Sequence, residues 1–337
     1  MIHRTELAWQ TPNWQQSLAN AISSLDQLCK YLELAPSQLP FSADANRQFP
    51  LRVPYNYASL IEKRNPRDPL LLQILPDIQE LNKEPGFITD PVGDLTHHPA
   101  PGIIHKYHGR ALIITTGACA IHCRYCFRRH FPYADSGIKR TEWEKTLAYL
   151  ESHQEIDEII LSGGDPLVMS DQTLTEMIDQ LAGIAHLQRI RIHTRVPTVL
   201  PERITGSPLM EHLANNRLTP IVVLHINHPN ELSPSVTEAL KEITKNHIFL
   251  LNQSVLLKTV NDSPSLLTLL SEKLFQAGVL PYYLHLLDKV EGAAHFAVQK
   301  EEAIALHQAM MESLPGYMVP KLVMEQDGAD SKLPVTV

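Results

Sequence analysis

Basic charge, cysteine and long apolar runs are all scarce in this chain. Lysine and arginine number 29 against 37 aspartates and glutamates, a formal net charge of −8 over 337 residues. A general nucleic-acid binder carries a broadly basic footprint, so that class is excluded, although a small basic pocket is still allowed. No uncharged apolar run is long enough to span a membrane. The opening MIHRTELAWQTPNWQQ has no apolar leader core, so a cytoplasmic protein without a membrane partner is expected. There are only four cysteines, and in a reducing compartment they do not form a disulfide framework. Internal repeats and low-complexity tracts are absent as well.

What is present is an ordinary globular composition, 44% hydrophobic and 20% charged. Residues 14–33 have helical apolar spacing, and a series of prolines then punctuates the chain up to Pro76. From residue 110 a rhythm sets in. Short β-branched runs at 110–116, 157–162, 189–195, 219–226, 247–257 and 281–287 alternate with helix-patterned segments near 141–152, 171–185, 201–215, 233–245, 264–277 and 298–313. Near-continuous apolar strands are buried on both faces, which implies a parallel sheet. Polar residues gather at the carboxyl ends of these runs: Ser162 to Asp165, His193 to Arg195, His225 to His228, Asn252 to Ser254, and Asp288. In parallel α/β folds the chemistry sits at that end. The expectation is an α/β fold: a partial (β/α)6 TIM-type barrel of parallel strands over 101–315. It is preceded by a mainly helical extension over 1–100 and followed by a segment over 316–337.

Three of the four cysteines lie within eight residues, Cys119, Cys123 and Cys126, spaced C-x3-C-x2-C directly after the first strand. Thiolates suit zinc or iron–sulfur clusters. A structural zinc site wants four ligands, and His122 or His130 could supply the fourth. A [4Fe–4S] cluster held by three thiolates would instead leave one iron open for chemistry. Cys29, far from the others, reads as a small buried hydrophobe.

This spacing resembles the signature of the radical S-adenosylmethionine enzymes, whose open iron chelates adenosylmethionine and whose fold is a full or partial β/α barrel. The SGGDP stretch, Ser162 to Pro166, ends the next strand. By the resemblance, Gly163, Gly164 and Asp165 belong to the adenosylmethionine site, where glycines let a ligand amino group approach the backbone. Further stretches are similar to the lysine 2,3-aminomutases within that superfamily: DPVGD (90–94), CFRRH (126–130), HTRVPTVLPERIT (193–205), HINHPNE (225–231), LNQSVLLKTVND (251–262) and DKVEGAAHF (288–296). The resemblance covers about residues 50–335.

That family implies a second cofactor, pyridoxal 5′-phosphate, carried on a lysine that matches Lys332. Lys106 and Arg110 match the positions that bind the cofactor phosphate. Arg128 matches the residue that grips the substrate carboxylate, a task suited to a planar fork. Asp288 and Glu325 match the acids that hold the distant ammonium of L-lysine. His225 and Gln253 match residues lining the adenosylmethionine site. The stretch 49–76 and the short tail after Lys332 look most like the branch that makes (R)-β-lysine for modification of elongation factor P. Its expected partners are elongation factor P, its lysyl-tRNA-synthetase-like ligase, and a reducing electron donor of flavodoxin or ferredoxin type. A catabolic or osmolyte-producing lysine 2,3-aminomutase is the alternative with the same chemistry. A zinc-stabilised binding module without catalysis is the alternative from another class.

Overall fold

The computed structural model describes residues 14–133 and 142–336. The opening residues 1–13, read above for a leader, and residue 141 of the expected helix near 141–152 lie outside them.

Nine strands form one sheet in chain order: β1 Ile103–Tyr107, β2 Arg110–Thr116, β3 Glu158–Gly163, β4 Arg189–Thr194, β5 Thr219–Leu224, β6 Phe249–Val255, β7 Leu280–His285, β8 Lys321–Met324 and β9 Leu333–Pro334. Pairing from β2 through β8 is parallel, and β1 and β9 close the two edges antiparallel. The six expected β/α units are β2 to β7 with their following helices. β8 adds a seventh parallel strand. The sheet curves, because side chains from β2, β3, β4, β6 and β7 all line one cavity.

The helices between strands start cleanly for a local reason. At Ser207-Pro208, Ser233-Pro234 and Ser263-Pro264 the serine side chain accepts a backbone N–H of the first turn, and proline takes the first helical position. Proline there loses no hydrogen bond, and its fixed φ is already helical. These helices bury one face against the sheet: Val236, Ala239, Leu240 and Ile243 in the helix Pro234–Lys245 are typical. On the strand side β3 is buried throughout, as a strand covered on both faces must be.

The N-terminal part departs from a simple pattern. The helical spacing over 14–33 is split into helices Trp14–Ala19 and Leu25–Leu32. Ile22 leaves the helix to exchange backbone hydrogen bonds with Val53, at 2.8 and 2.9 Å, and Ser24 caps the second helix. Cys29 is buried in that helix, as expected. The expected helix over 201–215 likewise resolves into short turns at 196–203 and a helix Pro208–Ala214. Helix-forming spacing is a weak prior, and here a non-local strand bridge and two prolines override it.

Candidate active site

A cavity of about 350 Å³ opens at the carboxyl ends of the strands. The fourteen residues that the family resemblance singled out all line it: Cys119, Cys123, Cys126, Lys106, Arg110, Arg128, Gly163, Gly164, Asp165, His225, Gln253, Asp288, Glu325 and Lys332. Two of them come from far along the chain. Glu325 directly follows β8 and Lys332 directly precedes β9. The antiparallel pairing Met324 to Leu333 brings Lys332 back beside Glu325, and their side chains form an ion pair.

The cysteine loop is held from beneath by buried charge. Arg124 donates from Nε and Nη2 to both oxygens of Glu80, at 2.8 and 2.6 Å, and Arg129 Nη2 donates to the same carboxylate at 2.5 Å. Breaking a buried pair such as this leaves an uncompensated charge and costs about 3–5 kcal/mol, so the loop's geometry is set by protein contacts. Burial pushes the Cys126 thiol up to about 11 and the Cys119 thiol well above its usual range, each reinforced by the neighbouring thiols.

The candidate zinc partners point elsewhere. His122 donates from Nδ1 to the Pro50 carbonyl at 2.7 Å and stacks on Phe49, and His130 donates to the Glu291 carbonyl at 3.0 Å. Neither lines the cavity. Among the described residues no three His, Cys, Asp or Glu side chains are grouped to hold a single ion. Cys119, Cys123 and Cys126 all line the cavity, and three thiols are one short of the four ligands of a structural zinc site.

The SGGDP turn serves the cysteine loop. Gly164 N donates to the Thr116 carbonyl at 2.6 Å, and Asp165 N to the Ala118 carbonyl at 2.8 Å. A Cβ on Gly163 would lie 2.5 Å from Thr116 O, and one on Gly164 would lie 2.1 Å from Ala118 O. Gly163 also has φ 121°, a region that disfavours side chains. These glycines therefore permit close approach by the protein's own backbone. Asp165 accepts from Leu167 N, Thr194 Oγ1, Arg195 N and Val196 N at 2.7 to 3.2 Å. A carboxylate offers about four lone-pair sites, so Asp165 is spent on tying β3 to β4. Burial still lifts its pKa to about 6.

A chain of alternating charges crosses the cavity. Arg128 Nε donates to Asp94 Oδ2 at 2.7 Å, and its Nη1 to Ser162 Oγ at 3.1 Å. Lys106 pairs with the other oxygen of Asp94, donates to the Val92 carbonyl at 2.5 Å, and lies 3.7 Å from Glu325, which holds Lys332. Lys106 therefore reaches the cavity with its ammonium engaged by Asp94 and the Val92 carbonyl. Arg110 has no carboxylate partner among the described residues, and its guanidinium lies over the Tyr107 ring. The Asp288 carboxylate is also without a hydrogen bond among them. Burial and the Glu325 charge lift its pKa to about 7 against the pull of Lys332. Burial would raise Glu325 as well, yet Lys332 and Lys106 bring it below the usual carboxylate range. His225 is driven down to about 3 by burial and by Arg195, so it is neutral when it meets Tyr125 Oη at 3.0 Å.

Residues 113–264 match the Radical SAM superfamily. The chain is 46% identical over 320 residues to L-lysine 2,3-aminomutase of Haemophilus influenzae, covering 95% of this chain and 94% of that one. It is 45% identical to L-lysine 2,3-aminomutase of Escherichia coli, with 96% and 94% covered. The chain belongs to the lysine 2,3-aminomutase family. L-Lysine 2,3-aminomutase of Clostridium subterminale is 33% identical over 96% of this chain and 77% of its own. The family works with a [4Fe–4S] cluster, S-adenosylmethionine and pyridoxal phosphate. The cavity residues fit all three: a thiol trio, a neutral polar wall at His225 and Gln253, and a lysine with an unpaired arginine.

Two residues of this aminomutase cavity carry more than the sequence reading gave them. Asp94 closes the DPVGD stretch and orients both Arg128 and Lys106. Arg195 ends the HTR stretch and reaches a cysteine sulfur. The motifs were visible, but the partners were not.

Proposed function

We propose that this chain is an L-lysine 2,3-aminomutase that makes (R)-β-lysine for attachment to elongation factor P. The observation that carries the reading is a single cavity lined by a thiol trio, by Lys332 ion-paired to Glu325, by Asp288 and by the Arg128 guanidinium. The greater identity to the Haemophilus and Escherichia relatives than to the Clostridium one, together with the stretch 49–76, supports the elongation factor P branch over a catabolic one.

Cys119, Cys123 and Cys126 hold the cluster, His225 and Gln253 line the adenosylmethionine pocket, and Lys332 carries the pyridoxal phosphate, with Arg110 on its phosphate. Bound there, these groups supply one-electron cleavage of a sulfonium and an electron-accepting ring for the migrating amine. The protein's share is placement. Arg128 presents its outer nitrogens to the substrate carboxylate while Asp94 and Ser162 fix its plane. Asp288 and Glu325 take the distant ammonium. Lys106 holds Asp94 and Glu325 apart from each other's charge. The walls exclude water from reactive intermediates.

Deleting the gene is expected to leave elongation factor P without its β-lysyl mass, restored by (R)-β-lysine in the medium and not by α-lysine. Unchanged elongation factor P in the deletion strain would reject the cellular role. Failure of the anoxically reconstituted protein to convert lysine would reject the chemistry.

The Asp288 pKa near 7 gives a sign to the pH dependence. Its carboxylate is ionised above that value and protonated below, so lysine binds better as pH rises through 7. KM for lysine is expected to be about tenfold higher at pH 6 than at pH 8, following the ionised fraction. Asp288→Asn should raise KM at pH 8 and flatten the profile. A variant with the same slope would remove Asp288 from ammonium binding.

A further inference from the structure

Arg195 stands directly behind the cysteine loop. It follows β4, and its backbone N–H is fixed by Asp165 at 2.7 Å. The residue is 5% exposed. Nη1 donates to Cys123 Sγ at 2.7 Å and to Tyr125 Oη at 2.7 Å. Nη2 donates to Gln73 Oε1 and Glu231 Oε2, each at 2.9 Å, and to Tyr57 Oη at 3.3 Å. Glu231 is itself fully buried and accepts from the Asn227 and His228 backbone, so it is held as rigidly as the arginine. Among the described residues, Cys123 is the cysteine of the trio whose sulfur takes a hydrogen bond from a guanidinium.

A buried guanidinium is expensive to desolvate and is a weak device for stability. Aimed at a ligand sulfur, it has an electrostatic use. Hydrogen bonds to cluster sulfurs and local charge set iron–sulfur potentials. On reduction the cluster gains one negative charge, shared onto its thiolates. A fixed cation touching one thiolate stabilises that added charge in a low-dielectric site. We infer that Arg195 is a positioning residue that raises the reduction potential of the cluster through Cys123, and that Glu231 moderates the effect as its counter-charge. This rests on the proposed reading of the trio as cluster ligands.

The two partners make opposite predictions. With the wild-type, Arg195→Gln and Glu231→Gln chains reconstituted anoxically without substrate, the cluster midpoint is read by an EPR-monitored redox titration. Arg195→Gln is expected to lower the reduction constant about tenfold, a 59 mV fall for a one-electron couple. Glu231→Gln, which keeps shape and removes the anion, should move the midpoint upward. A merely structural role would shift neither, or both the same way, and either result overturns the inference. If Arg195→Gln does not fold, Glu231→Gln decides alone: a rise supports the inference, and no change or a fall overturns it. A wild-type chain that assembles no cubane rejects the cluster reading and this inference with it.

Discussion

Cys119→Ala, Cys123→Ala and Cys126→Ala each reduce bound iron from about four per chain to near zero after anoxic reconstitution, and each abolishes lysine turnover. The reasoning is one of ligand count. Three thiols line the cavity, and the proposed cluster needs one protein ligand on each of three irons. Removing one leaves two irons open, and the remaining pair cannot hold the cubane. The loss of turnover should exceed about 100-fold, the upper end for removing an outer-shell partner. The fold is expected to survive. Glu80, paired with Arg124 and Arg129, fixes the loop independently of the thiols, and the apo variants should melt within about 3 °C of the apo wild type, equivalent to about 1 kcal/mol for a large domain. Metal analysis and thermal melts separate the two effects. Any single variant that retains four irons would falsify the three-ligand assignment.

The contrast between the cysteines and Arg195 explains how much could be read in advance. C-x3-C-x2-C places three thiols on one short loop, so the spacing marks a candidate metal site, and the resemblance to the radical S-adenosylmethionine signature adds the cluster. The strands were visible for a similar reason, since runs such as Glu158–Gly163 are buried along their length around an apolar Ile159-Ile160-Leu161 centre. Contacts between distant residues leave no local trace. Arg195 meets Gln73 and Cys123 across 122 and 72 positions of chain, and Arg124 meets Glu80 across 44. Nothing in the neighbourhood of Glu80 distinguishes it from an exposed acid. β1 with its His105-Lys106-Tyr107 half, four-residue β8 and two-residue β9 are too polar or too short to register as strands, yet the β8–β9 pairing delivers Lys332 to the cavity. The glycines of SGGDP line the cavity and also make room for the Thr116–Ala118 backbone, a tertiary contact that their local sequence does not show.

Lys332→Ala is expected to eliminate covalent cofactor capture. In the wild type, pyridoxal phosphate followed by borohydride should add one cofactor mass to the chain, mapped to Lys332. In the variant that adduct should be absent, and turnover should fall by more than about 10³-fold, since an effectively intramolecular attachment is lost. The control is built into the cavity, because Lys106 is the other lysine lining it. Its ammonium is ion-paired to Asp94 and donates to the Val92 carbonyl, so two of its three donors are committed to the protein. Among the described residues Lys332 has Glu325 as its ion-pair partner, and its charge pulls against the burial that lifts Asp288 to about 7. Lys106→Met should therefore retain the adduct on Lys332. Capture on Lys106 in the wild type, or an undiminished adduct in Lys332→Ala, would move the attachment point and with it the orientation proposed for lysine between Arg128 and Asp288.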